Sequence, residues 1–134
     1  MDYKLIFSQT DFVEAMLKKG YDLRDNSVLN SSHFVSQDDA IDDFLQNSFD
    51  SIYELIRENR GNHWCELFFE DMQKDLSADE DALKYKVILK EALVEQTIFL
   101  WDNGDSDAVA DNNEERSPYA PKAVKKLWGT ILKG

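Results

Sequence analysis

The chain has 134 residues, which fits one domain and leaves little room for a second. Its composition is 43% hydrophobic and 12% aromatic, enough for a buried core, and this excludes disorder along the whole chain. Only five Gly and two Pro are present, which argues against the many tight turns of a β-sandwich. No apolar run approaches the roughly 18 residues of a membrane span, so we expect no membrane contact.

The cysteine content and the first residues predict the compartment in which the chain is made. Cys65 is the single cysteine and has no partner for an internal disulfide. Residues 1–7 lack the basic region and apolar stretch of a signal peptide. We therefore expect synthesis in a reducing cytoplasm.

The net charge of −12 is divided unevenly along the chain. Residues 1–116 hold 11 basic and all 27 acidic residues, a net charge of −16, whereas residues 117–134 have a net charge of +4. An acidic body repels phosphate backbones, which argues against ordinary nucleic-acid binding, although it also serves solubility. We therefore predict an acidic helical domain over 1–116 and a basic C-terminal docking segment over 117–134. Four lysines supply the basic charge: Lys122, Lys125, Lys126 and Lys133.

Capping residues and apolar spacing predict helices through the first part of the chain. Ser8 can cap a first helix over about residues 9–19, and residues 21–35 form a polar connector. A second helix starts after Ser36 and ends at Gly61, and a third follows directly.

A fourth helix is predicted from the capping box at residues 77–80 to about Trp101. Apolar residues cover a wide part of its surface, and one face also includes Gln96, which indicates a central helix contacted from more than one side. The expected core residues are Phe44, Phe49, Ile52, Leu89, Leu93 and Leu100.

Residues 104–117 are polar and acidic without an apolar period, so we expect a loop that is mobile or ordered only by a partner. Ala110 and Arg116 stand where a calcium-binding loop needs Gly and Glu, which predicts no specific calcium binding. A last short helix begins near Pro118 or Pro121. The predicted fold is therefore all-α: a small helical bundle around a long central helix, with a loop-tethered C-terminal helix.

The last helix is the predicted interaction site, because a short helix needs a surface to pack on. Its aromatic residue, Trp128, either packs into the domain's own core or anchors the segment on another protein. The predicted protein-interaction residues are Lys122, Lys125, Lys126, Trp128, Ile131 and Lys133.

Residues that could carry chemistry do not form a known pattern. His63 and Cys65 are two residues apart and point in different directions on a helix, and His33 is the only other histidine. The acidic pair at 38–39 is explained by the positive end of the second helix, although paired carboxylates also occur in acid–base and metal sites. We expect no enzyme activity, no metal and no cofactor.

Three stretches of this sequence resemble the small head–tail connector (head-completion or adaptor) proteins of long-tailed bacteriophages. The first is the Asp-rich helix start and its apolar continuation, residues 38–56. The second is the helix over 83–105, in which an Ala and a Gln precede an aromatic-rich end and a Gly turn. The third is the close of the chain, 117–134: a small residue and Pro, a short helix and a Gly–Leu-type ending.

The resemblance implies a virion protein of the head–tail interface, made in the cytoplasm of a host. It implies a ring of about twelve copies below the portal protein, which extends the DNA channel and joins the next connector or a tail-completion protein. DNA would pass through without sequence-specific binding, since an acidic wall does not hold phosphates. The alternative is a small acidic inhibitor or adaptor, such as a DNA mimic, that binds a basic surface of a host protein.

Overall fold

The computed structural model describes four stretches of the chain: residues 1–25, 36–75, 79–103 and 118–133. They contain the α-helices α1 (Gln9–Lys18), α2 (Gln37–Arg60), α3 (Asn62–Met72), α4 (Glu80–Asn103) and α5 (Pro121–Leu127), and 3-10 turns at Tyr3–Leu5 and Leu23–Asp25. In this part of the chain the only β-type pairing is an isolated bridge between Trp128 and Leu132. The predicted all-α helical bundle is confirmed.

The starts of α1 and α2 follow from local side-chain chemistry. The hydroxyl oxygens of Ser8 and Ser36 each accept a hydrogen bond, at 3.2 Å, from the backbone N–H three residues further on. These bonds satisfy amides that have no partner inside the helix, as N-caps do. Gly61 has a φ of 90°, a conformation that glycine adopts without strain, and it separates α2 from α3. The predicted caps Ser8 and Ser36 and the stop at Gly61 are confirmed.

The start of α4 differs from the prediction. The helix begins at Glu80, and the Asp79 carboxylate accepts the backbone N–H of Ala82 at 3.1 Å. Asp79 therefore caps the helix, and Ser77, the predicted cap, lies outside the described residues. The predicted acidic loop at 104–117 and most of the predicted connector also lie outside them, so those predictions stay open.

The helix α4 lies at the centre of the bundle, because α1, α2, α3 and α5 all contact it. Phe44, near the start of α2, stacks on Trp101 near the end of α4, with ring centroids 5.6 Å apart. The end of α2 instead contacts the segment that follows α5. On α5 itself, Lys126 pairs with Glu91 in the first half of α4. The two long helices thus run antiparallel, and α3 folds back on α2.

Most of the predicted core is confirmed. Phe49, Ile52, Leu89, Leu93 and Leu100 are between 0 and 8% exposed. The prediction for Phe44 is wrong, because its ring is only partly buried at the edge of the bundle, where it stacks on Trp101. The first residues, which had no predicted role, add three further core side chains: Tyr3, Ile6 and Phe7.

Candidate interaction surface

The segment 118–133 is packed on the body of its own chain. Ala123, Leu127, Ile131 and Leu132 are each at most 1% exposed and belong to the main hydrophobic core. The prediction that Ile131 is a protein-interaction residue is therefore wrong, because its side chain is buried in the core of its own chain. Burial of these side chains contributes to the stability of the domain itself.

A buried glutamine holds the start of this segment. Gln96 is fully buried on α4, and its Nε2 donates a hydrogen bond to the carbonyl oxygen of Pro118 at 3.1 Å. The backbone N–H of Ala120 donates to Gln96 Oε1 at 2.8 Å. Both halves of the amide are thus satisfied by backbone atoms, which is the condition for burying a polar group at low cost.

Two residues at the end of α2 hold the other end of the segment. Asn59 accepts the backbone N–H of Lys133 at 2.7 Å and donates to its carbonyl oxygen at 3.2 Å. The Arg60 guanidinium donates to the carbonyl oxygens of Ile131, at 2.9 Å, and Thr130, at 3.4 Å. The segment is therefore fixed at both ends, which makes its outward side a defined surface.

Trp128 lies on that outward side and is 55% exposed. It follows α5 in an extended conformation, and Gly129, with a φ of 80°, then turns the chain so that Leu132 N–H donates to Leu127 O at 2.9 Å. The turn returns the apolar side chains to the core and leaves the indole outside. Of the two alternatives for Trp128, packing in its own core is thus wrong, and anchoring on another protein stays a prediction.

The four predicted lysines lie on the surface around this segment, as expected from their charge. Lys126 forms an ion pair with Glu91 at 3.4 Å. Among the described residues, no carboxylate lies within ion-pair distance of the other three lysines. We define the C-terminal surface as Lys122, Lys125, Lys126, Trp128 and Lys133.

A second charged surface lies at the start of α2, where a shallow depression of about 310 Å³ is bordered by the 3-10 turn at Tyr3–Leu5 and by α2. The Asp42 carboxylate accepts hydrogen bonds from the Tyr3 hydroxyl at 2.5 Å and from Gln9 Nε2 at 2.9 Å. Burial, followed by the interaction with Asp42, raises the pKa of Tyr3, so its hydroxyl stays protonated and donates. Lys4 lies among these carboxylates and pairs with Asp42 at 3.4 Å and with Asp2 at 3.8 Å. We define the acidic surface as Asp2, Asp39, Asp42 and Asp43.

The two residues considered for catalysis, His63 and Cys65, lie in different environments. His63 is exposed, whereas Cys65 is fully buried and its thiol faces the carbonyl oxygen of Tyr53 at 3.8 Å. Burial raises the pKa of the Cys65 thiol, which favours the less reactive protonated form. Within the described stretches, no group of three or more His, Cys, Asp or Glu residues is placed to hold a metal ion. None of the described helices combines the length and the apolarity that crossing a bilayer requires.

Comparison with models of protein families, with curated proteins and with solved structures finds no match to this chain. The interpretation of its surfaces therefore depends on their chemistry and geometry.

Proposed function

We propose that this chain is a structural assembly protein and not an enzyme: a head–tail connector that forms a ring below the portal of a tailed bacteriophage. The observation that carries the proposal is the exposed indole of Trp128 within a basic surface on an otherwise acidic protein. An aromatic centre with a charged rim is the usual composition of a protein interface.

Hydrogen bonds at both ends of the segment hold the C-terminal surface in place, which also favours an interface. Gln96 and Asn59 bind the backbone at the two ends of the segment, so Trp128 is presented without further ordering. A partner that binds a preorganised surface loses less conformational entropy than one that must order a free segment. The exposed lysines would guide the approach of an acidic partner, and Trp128 would supply most of the contact energy.

The separation of charge supports a ring. Basic and acidic side chains lie on different surfaces of one chain, so a contact between copies joins two unlike surfaces, and such contacts close into rings when the rotation allows it. About twelve copies would then line a channel with acidic side chains, past which DNA moves without being held. The portal protein and the next connector, or a tail-completion protein, would bind the two faces of this ring.

Replacement of Trp128 by alanine tests the proposal. We expect Trp128→Ala to weaken assembly on portal particles by about 2 kcal/mol, because an aromatic anchor at the centre of an interface is lost. Co-sedimentation with portal particles measures this. The matched control is Leu17→Ala, which removes a similarly exposed side chain (52%) from α1. Thermal unfolding of both variants should stay close to that of the wild type, since neither side chain is buried.

Equal loss of assembly in both variants, or none in either, would contradict a specific role for Trp128. Assembly should also be slower at high salt, because exposed charges are screened over about 8 Å at physiological ionic strength. The alternative function, an acidic inhibitor or DNA mimic, predicts a different result: stoichiometric, salt-sensitive binding to a nuclease or polymerase that depends on the acidic side chains and is indifferent to Trp128→Ala.

A further inference from the structure

The first two turns of α4 expose apolar side chains that lie in the same row as buried ones. Leu83 and Val87 are 46% and 49% exposed, whereas Val94, further along this row, is buried. Residues three and four positions apart share one side of a helix, so a single apolar row is covered in its second half and uncovered in its first. Tyr85 is also exposed, although Leu89, one turn later on the same face, is buried in the core.

Lys84 and Lys86 flank this uncovered row on opposite sides, and Lys90 lies in the row between Val87 and Val94. In the described part of the chain none of them lies within ion-pair distance of a carboxylate. The Lys90 ammonium is 5.1 Å from the ring centroid of Phe7, and burial, followed by the charge of Lys90, lowers the pKa of Lys86. We define the α4 surface as Leu83, Lys84, Lys86, Val87 and Lys90.

The acidic surface has the complementary composition. Met1 is exposed, and Leu5, also exposed, ends the 3-10 turn that borders the depression. Lys4 lines the depression as well and pairs with Asp2 and Asp42, so Asp39 and Asp43 are the carboxylates without an ion pair among the described residues. The backbone carbonyl of Met1 accepts a hydrogen bond from Gln46 Nε2 at 2.7 Å, which keeps Met1 beside the depression. Apolar side chains with acids on one surface thus correspond to apolar side chains with lysines on the other.

Within one chain the two surfaces do not pair with each other. The acidic surface lies at the start of α2, which is beside Trp101 because Phe44 stacks on that ring. Val87 is 14 positions before Trp101 on α4, a separation of about 21 Å along the helix axis. Lys90 is nearer, over the Phe7 ring, but no lysine of the α4 surface lies within ion-pair distance of a carboxylate among the described residues. A second molecule can therefore supply the complement of each surface.

We propose that the α4 surface of one copy docks on the acidic surface of a second copy. This rests on the proposed function, because it identifies the contact that would join neighbouring subunits of the ring. Val87 and Leu83 pack against Met1 and Leu5 of the neighbour, and the lysines face Asp39 and Asp43. The contact joins unlike surfaces, so the copy that uses its α4 surface keeps its acidic surface free, and its neighbour keeps its α4 surface free, for the next copy.

Two variants that each disable one surface test this contact in the full-length protein without any portal. Val87→Glu places an acid in the centre of the α4 surface. Asp43→Lys reverses an exposed charge of the acidic surface whose side chain has no hydrogen-bond partner among the described residues. Sedimentation at millimolar concentration and low salt should show self-association of the wild type, weakened about tenfold in each variant because like charges then face each other.

An equimolar mixture of the two variants tests whether the two surfaces bind each other. The intact acidic surface of Val87→Glu can bind the intact α4 surface of Asp43→Lys, so an equimolar mixture should form dimers with wild-type affinity. The control Leu17→Glu, at an exposed apolar position on α1, should associate like the wild type.

The inference is overturned by a wild type that stays monomeric, by variants that associate normally, or by a mixture that does not recover. These results do not overturn the proposed function, because assembly on portal particles and its dependence on Trp128 are measured separately. Loss of both kinds of assembly in Val87→Glu, with recovery of dimers in the mixture, would support both.

Discussion

Truncation after Ser117 should abolish cooperative folding of the chain. The removed segment includes Leu127, Ile131 and Leu132, each at most 1% exposed, and burial of one such side chain contributes about 1.5–3 kcal/mol. Their sum is comparable with the total stability of about 5–15 kcal/mol of a typical domain. The truncation also leaves Gln96 buried without its backbone partners. Circular dichroism during thermal unfolding measures the effect.

The matched control keeps the segment and removes only its charges. Lys122→Ala and Lys125→Ala together should leave the unfolding temperature nearly unchanged, because both side chains are exposed and have no ion pair among the described residues. A truncated protein that unfolds cooperatively at the temperature of the full chain would show that 118–133 does not belong to the core. The predicted division into a domain over 1–116 and a docking segment over 117–134 would leave a folded monomer after truncation, but the buried side chains of the segment reverse this expectation.

Leu93→Ala should lower the free energy of unfolding by about 2–5 kcal/mol, because it removes a fully buried side chain from the central helix and leaves a cavity. The matched control is Leu83→Ala on the same helix, where the side chain is 46% exposed and the expected loss is below about 0.5 kcal/mol. A denaturant titration of both variants measures the difference. Equal losses in the two variants would mean that the buried face of α4 is assigned wrongly.

Helix ends that depend on local chemistry could be predicted from the sequence. Ser8 and Ser36 cap α1 and α2 through bonds that span three residues, and Gly61 ends α2 through its own backbone conformation. The start of α4 is harder to predict, because Ser77 and Asp79, two positions apart, are both suitable caps. A sequence pattern does not distinguish between them.

The candidate surface could be predicted only in part. The lysines of the last helix are exposed as expected, but Trp128 and Ile131 belong to one apolar pattern and have opposite environments. Their difference arises because the helix ends at Leu127, Trp128 is extended and Gly129 then turns the chain, and periodicity carries no information past such a turn.

The acidic surface and the uncovered row of α4 depend on tertiary structure. The acidic surface combines residues of the first turn with residues about forty positions later, which no local pattern connects. Periodicity does identify the apolar row of α4 that contains Leu83 and Val87. It does not show where neighbouring helices stop covering that row, because coverage depends on the crossing of α4 with its neighbours.

Electron microscopy of the protein mixed with candidate portal particles would show whether the chain assembles below the portal. We expect a ring of additional density below the portal, with about twelve copies around the channel, whose occupancy falls with Trp128→Ala and is retained with Leu17→Ala. Portal particles that remain bare at saturating protein, together with stoichiometric binding of the chain to a basic nucleic-acid enzyme, would contradict the assembly role and favour the inhibitor.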